Sequence, residues 1–308
     1  MKVAVCVLTY KRPDGLKRLL DGLSRQAFIK TQPSAVQVVV VDNDPAASSV
    51  AYCSSLQLGY PWKLVWYNEK RRGISFARNR AVALAWEEHD FIAFIDDDEV
   101  PEPSWLDELL AVQQMTQAAI VTGPVLPVYP EGAPAWSVKS GCYERSRHPT
   151  GYALRLARTG NVLIQTEVFA RIESWFDERY ALSGGEDTHF FMRVKALAFD
   201  IVWADEAIVH EWLPLSRLKV SWLLQRAYRS GNTYTLCERD IRQSAAKLVI
   251  RAIKGGIRIG SGLVLALPAL LLGRITFIKA LQSICLGAGM VMGLVGKRYE
   301  EYQRTHAV

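Results

Sequence analysis

The sequence predicts an α/β fold with a mostly parallel central sheet flanked by helices, followed by a helical C-terminal tail that is both hydrophobic and basic. Three observations carry this. Strand-like and helix-like patterns alternate through the first 120 residues. Strands such as VQVVVVD show little polar alternation, as expected of parallel strands covered on both faces. Carboxylates stand directly after apolar strands, where ligands collect in open α/β sheets.

In chain order, a strand is predicted over residues 2 to 8, a helix over 13 to 26 and a strand over 36 to 41. A helix around 46 to 58, a strand at 63 to 67, a helix at 74 to 88 and the apolar run FIAFI, which enters Asp96-Asp97-Asp98, complete the βαβ organisation. Pro101 and Pro103 close this unit, and a helix at 105 to 116 and a strand at 119 to 125 follow. Residues 126 to 158, rich in Pro, Gly, Tyr and Arg without a sustained period, read as a loop-rich insertion that can form an acceptor-side lid. Beyond it come a short strand (161 to 164), a short helix (167 to 172), a glycine turn opening a helix to 199, a strand (201 to 210) and an amphipathic helix (218 to 228). No repeat at solenoid periods is present.

Five scattered cysteines, with no paired spacing, argue against a disulfide framework or a zinc site and favour a reducing compartment. The amino-terminal apolar run is too short for the usual signal-peptide core and reads as the first strand. The net charge of +6 conceals an asymmetry: residues 211 to 308 hold 15 Lys and Arg against 5 Asp and Glu, and residues 1 to 210 hold 22 against 26. In the tail the basic residues are interleaved with aliphatic runs, which suits an anionic membrane surface rather than nucleic acid. Its two weakly polar blocks, 259 to 273 and 280 to 296, are each shorter than the roughly 20 residues of a spanning helix, and Pro268 interrupts the first. An interfacial or re-entrant hairpin is expected; the alternative, a pair of buried or dimerisation helices, leaves a homo-oligomer open.

Three adjacent carboxylates repel one another unless a cation sits among them, and hard oxygen ligands select Mg2+ or Mn2+. The strand ends at Thr9-Tyr10-Lys11-Arg12 and Asp42-Asn43-Asp44 should reach the same edge as the triplet and form a nucleotide-sized crevice. RRGISFARNRAV at 71 to 82 adds Arg71, Arg72 and Arg78 around a Gly73-turned helix start, an arrangement suited to a diphosphate. Glu186-Asp187, after Gly184-Gly185, can supply a carboxylate that takes a proton from an attacking hydroxyl. His210, at a strand end, can complete an oxygen-rich metal site. Arg226 and Arg229, before Gly231, can form a mobile loop over an anionic donor or a helix end biased towards cations.

In this order the motifs VAVCVLTYKRP, VVVVDND, GISFARNRA, FIDDDEVP and GGEDTHFFMR resemble those of the GT-A (Rossmann-like) glycosyltransferases of family 2, over roughly residues 2 to 235. Within the family the chain is similar to bacterial exopolysaccharide enzymes of the succinoglycan-biosynthesis type, which extend lipid-linked oligosaccharides at the inner face of the cytoplasmic membrane. The resemblance implies Asp187 as catalytic base with Glu186 supporting it. Asp98 would ligate Mn2+ or Mg2+, and Asp96 would serve the metal or ribose, with Asp97 able to share the metal role. Thr9, Tyr10, Arg12, Asp42, Arg71, Gly73, Arg78 and Arg229 would line the donor, and His210 would stand at the metal. A QxxRW motif is replaced by Gln225-Arg226-Ala227-Tyr228-Arg229, which implies transfer of a single sugar.

The implied partners are a nucleotide-sugar donor, most readily a UDP-sugar, a glycan or polyprenyl-diphosphate-linked acceptor, and an anionic membrane surface at the cytoplasmic face of the inner membrane, held peripherally or monotopically. The domains expected are a catalytic domain at 1–243, with a nucleotide half to about 125 and an acceptor half beyond it, and a tail at 244–308. Two other readings use the same residues. A sugar-phosphate nucleotidyltransferase would want a glycine-rich basic loop after the first strand, where only Lys11, Arg12 and Gly15 stand. A non-catalytic, membrane-docked assembly subunit would have little reason to keep both acidic motifs.

Overall fold

A computed structural model describes residues 1–241 and 244–299. Residue 243, where the domain boundary is expected, and the tail beyond 299 lie outside the described residues.

The first half alternates as expected: β1 (Lys2–Thr9), α1 (Pro13–Ser24), β2 (Ala35–Asp42), α2 (Val50–Leu56), β3 (Lys63–Asn68), α3 (Ile74–Ala83) and β4 (Phe91–Asp96). Then come β5 (Glu99–Pro101), α4 (Trp105–Thr116), β6 (Ile120–Thr122), β7 (Val125–Val128), α5 (Ala135–Lys139), β8 (Ala153–Leu154), β9 (Val162–Gln165) and α6 (Thr166–Ala170). The chain continues through α7 (Glu186–Ala196), β10 (Ile201–Trp203), β11 (Val209–Trp212), α8 (Val220–Asp240), α9 (Ala245–Leu272) and α10 (Arg274–Leu294).

Eight strands form one sheet in the order β3-β2-β1-β4-β9-β6-β10-β8, and β5-β11-β7 form a second, smaller one. The pairs β2–β3, β1–β2, β1–β4 and β6–β10 are parallel, whereas β9 runs antiparallel between β4 and β6. Side-chain alternation explains the unbroken apolar strands. Val3, Val5 and Val7 of β1 join α1 and α4 on one face, while Ala4 and Cys6 join α3, α6 and α7 on the other. α1 forms because Pro13 pre-sets its first turn and Leu16, Leu19, Leu20 and Leu23 recur on one face. All four are buried, each stabilising the fold by roughly 1.5–3 kcal/mol.

Several expectations are corrected. The strand at 119 to 125 is divided at Gly123-Pro124 into β6 and β7, and that at 201 to 210 into β10 and β11, so each stretch serves both sheets. Asn161 sits at this division: it accepts from Trp105 Nε1 at 2.8 Å and donates to the carbonyls of Pro124 and Ala207. The helix expected to stop at 228 continues to Asp240, so Arg226 and Arg229 lie within it, neither in a loop nor at a helix end. Gly231 serves contact there, because a Cβ would meet the Leu286 carbonyl of α10. In the tail, helix extends well beyond the apolar blocks. α9 has 28 residues and runs through Pro268, and α10 has 21. Both are therefore long enough to cross a bilayer.

α10 lies parallel to α8, with contacts advancing from Ile278 against Leu223 to Gly293 against Thr235. α9 packs back on α10 through Gly255, Gly262 and Gly287.

Candidate active site

Parallel register places Thr9 beside Asp42 and Leu8 beside Asp96, so the ends of β1, β2 and β4 open at one edge. The three aspartates then point differently. Asp97 is buried; its two oxygens accept from Thr9 Oγ1 at 2.9 Å and from the Arg12 guanidinium at 2.8 Å. Asp98 Oδ2 accepts from Arg12 at 3.1 Å and from Arg217 at 2.9 Å. Asp96 turns into the crevice, with 43% of its side chain exposed and Arg78 at 3.8 Å. Burial works against the charge of Arg12, but Asp97 and Asp98 outweigh it and hold the guanidinium protonated.

The cations bind Asp97 and Asp98 more closely than Asp96, which has Arg78 only at 3.8 Å. Although its side chain is 43% exposed, the atoms crowded around the Asp96 carboxyl desolvate it, and with Arg78 opposing and Asp98 and Asp97 adding it is pushed up to about 6. Glu99, whose Oε2 accepts the Asp96 N–H at 3.0 Å, is raised well above the usual carboxylate range by burial and then by Asp96. Carboxylates so disfavoured as anions suit a divalent cation. Mg2+-type sites take one or two of them and complete the shell with phosphate and water. Asp96, exposed at the crevice, suits such a ligand, whereas Asp98 Oδ2 is shared by the Arg12 and Arg217 guanidiniums.

The expected trio of Asp96, Asp98 and His210 does not assemble, and among the described residues no group of three or more His, Cys, Asp and Glu is arranged to hold a metal. His210 Nε2 lies 3.1 Å from Glu102. Alternation along β11 sends its neighbour Glu211 to the other face, where it meets Arg145 and Arg217, both at 3.0 Å.

The second acidic motif approaches through Arg78. Gly184 and Gly185 both have positive φ, 72° and 93°, and a Cβ on Gly185 would strike Thr233 of α8. This tight turn starts α7 with Glu186 buried against the Arg78 guanidinium, which lies over the Phe176 ring at 5.7 Å. Arg78 thus stands between Glu186 and Asp96. Asp187 is half-buried, and its Oδ1 accepts the Thr188 N–H at 2.6 Å and the Thr188 hydroxyl at 3.3 Å.

The β2 end is a scaffold. Asp42 accepts from the N–H groups of Asp44 and Ser49 and from the Ser49 hydroxyl, all within its own loop. Asn43 accepts the Gly73 N–H and donates to the carbonyls of Glu69 and Arg71. Gly73, at φ 139°, passes so close to Ala181 that a Cβ would come within 2.6 Å of its Cβ. Arg71 pairs with Glu69 at 3.1 Å and covers the Phe76 ring. Tyr10 is half-buried at the rim, with Lys11 over its ring at 5.5 Å.

A cavity of about 470 Å3 has Arg145, Arg158, Arg226 and Glu211 in its lining. Its cations crowd one another. Burial, opposed by Glu211 and reinforced by Arg145, Arg229 and Arg158, brings Arg226 down to about 10. Arg158 is also lowered, by burial and then Arg145, while the charge of Asp187 opposes the shift. Asp187 does not line this cavity, but its charge reaches Arg158 in the cavity wall. Sequence reasoning did not single out Arg145, Arg158, Glu99, Glu211 or Arg217; the one available signal was the arginine content of the insertion at 126 to 158.

A profile of the family described as "Glycosyl transferase family 2" matches residues 4–176. Over 308 residues the chain is 32% identical to "Succinoglycan biosynthesis protein ExoM" of Rhizobium meliloti (strain 1021), covering 98% of this chain and 96% of that one. Among solved structures, mannosyltransferase PcManGT from Pyrobaculum calidifontis, in complex with GDP-Man and Mn2+, superposes with a TM-score of 0.63 at 19% identity, covering 96% of this chain and 88% of that one. S. aureus TarS 1-349 in complex with UDP-GlcNAc gives 0.53 at 16% identity, covering 97% and 93%. At such identities these likenesses establish the fold, a GT-A arrangement as expected from the motifs.

Proposed function

The chain belongs to glycosyl transferase family 2, and from that premise we propose that it is an inverting, non-processive glycosyltransferase moving one sugar from a nucleotide-sugar donor to a lipid-linked oligosaccharide. The observation that carries this reading is the position of Arg78 between Asp96 and Glu186, which joins a donor-side carboxylate to the motif holding Asp187. UDP is proposed as the carrier from the family resemblance, TarS being in complex with UDP-GlcNAc and PcManGT with GDP-Man, and a role in exopolysaccharide synthesis follows the full-length likeness to ExoM.

In this mechanism Asp187 takes the proton of an acceptor hydroxyl. The oxygen attacks the anomeric carbon, the bond to the diphosphate breaks on the opposite face, and the nucleoside diphosphate leaves with the bonding electrons. Asp96 and Asp98 would hold Mn2+ or Mg2+, which when bound neutralises charge developing on the departing diphosphate. Arg12, held by Asp97 and Asp98, keeps the aspartate edge in place, and Arg78 orients Asp96 and Glu186. Arg145 and Arg158 line the cavity that receives the acceptor.

Exposed Val264, Leu267 and Leu271 give α9 an apolar outer face. Because α10 is packed along α8, a spanning hairpin would carry the polar α8 with it, so a monotopic position on the cytoplasmic face fits better.

Loss of the base should cost about 10²–10⁴-fold in kcat. Asp187→Asn is expected to show that loss while its Tm still rises with UDP and Mn2+ as the parent's does. Turnover near the parent's would reject the assignment, and release of pyrophosphate instead of a nucleoside diphosphate would reject glycosyl transfer.

A further inference from the structure

The 470 Å3 cavity adjoins the tail. Its lining residues Cys142, Leu223 and Arg226 also line a second cleft, of about 380 Å3, between α8 and the α9–α10 hairpin. The far wall of this cleft brings Arg258 of α9 and Lys279 of α10 together. The two helices are held at this level by a 3.1 Å hydrogen bond from the Ser283 hydroxyl to the Arg258 carbonyl and by the close passage of Gly287, where a Cβ would come within 3.1 Å of the Arg258 Cβ. Neither Arg258 nor Lys279 has a described carboxylate within ion-pair distance. Leu286 and Leu223 supply apolar walls, and farther along α9 toward the hairpin tip Leu263, Val264, Leu267 and Leu271 are exposed.

This arrangement has three neighbouring parts: an apolar surface, a basic cleft of Arg226, Arg258 and Lys279, and a polar cavity whose Arg158 feels the charge of Asp187. A molecule matching it has a long hydrocarbon chain, a compact multiply charged anion and a polar group beyond it. A bulk lipid headgroup would fill the cleft without engaging the cavity on the other side of Arg226, which lines both. We propose that the cleft is the seat of the diphosphate of an isoprenyl-diphosphate-linked acceptor, so that Arg258 and Lys279 set how far its glycan reaches toward Asp187. The inference rests on the reading of the acceptor as lipid-linked and assigns that acceptor its anchoring residues.

The test uses the full chain in non-ionic detergent with farnesyl diphosphate, farnesol and inorganic pyrophosphate as probes. Binding is read from tryptophan fluorescence, because the Trp222 ring lies 5.0 Å from the Arg226 guanidinium. The expected result is farnesyl diphosphate bound at least tenfold more tightly than either fragment, and weakened at least tenfold in Arg258→Gln/Lys279→Gln. UDP affinity should be equal in both proteins, which checks that the variant is folded. Equal farnesyl diphosphate affinity in parent and variant would overturn the subsite while leaving a lipid-linked acceptor in place. Pyrophosphate bound as tightly as farnesyl diphosphate would overturn the lipid source. Failure of the parent to bind farnesyl diphosphate would overturn the subsite too, and sugar transfer to membrane-extracted acceptor then judges the lipid-linked reading separately.

Discussion

Arg78 holds a buried charge balance in which each partner depends on the other. Its side chain is 4% exposed and that of Glu186 3%, so Arg78→Met leaves a carboxylate in a dry site and should cost about 3–5 kcal/mol in urea unfolding. Adding Glu186→Leu to that variant should recover most of the loss, and a double variant as unstable as the single one would show that packing of Arg78 on Phe176 dominates instead. His189 gives a pH dependence. Burial, aided by Arg193 and opposed by Asp177 and Asp240, lowers its imidazole from 6.5 to about 4. Between those values the unfolded chain binds more protons than the folded one, so this contribution to stability is complete above about 6.5 and is lost as pH falls toward 4. His189→Phe, which keeps a ring against Tyr180, should shrink the difference in urea midpoint between pH 7 and pH 5; an unchanged difference would place the acid sensitivity elsewhere. Three aspartates at a strand end were legible as a cation-seeking group. Their division into an outward Asp96, an inward Asp97 and an arginine-bound Asp98 was not, because it follows from which cations α1 and the Arg217 segment bring to them.

Elements meet closely where glycine allows it. α10 rests on α8 at Gly231, Gly289 and Gly293, and a Cβ at Gly289 would strike the Tyr228 carbonyl, a backbone atom that cannot swing aside. Gly289→Leu should therefore destabilise the pairing by about 1–3 kcal/mol, read as a lower Tm and faster tryptic release of the tail; an unaltered digestion pattern would mean that α10 is held by other contacts. Hydropathy alone underestimated both tail helices because it stops at basic residues. Arg251 lies within α9 yet is paired with Glu238 of α8, a partner 13 positions earlier that no local window connects to it. Gly231 read as a loop signal for the same reason: the helix that needs its missing side chain lies more than 50 residues later.

The whole molecule presents a catalytic crevice at one sheet edge and an apolar helical face along α9. Val264→Asp/Leu271→Asp changes exposed positions only and is expected to abolish flotation with vesicles containing anionic lipid while leaving UDP affinity at the parent's value. Equal flotation of variant and parent would remove the membrane-docking role of the tail.

The sequence by itself determined the alternating βαβ order, the covered parallel sheet, the two acidic motifs and the basic, apolar tail, because these depend on local periodicity and on neighbours in the chain. Tertiary structure alone decided that Arg78 joins the acidic motifs, that His210 turns to Glu102, and that Arg145, Arg158 and Arg226 gather from the insertion and α8 into one cavity. Electrostatic partnership depends on distance in space, and residues 78, 96 and 186 become neighbours only once the sheet has brought their elements to a common edge.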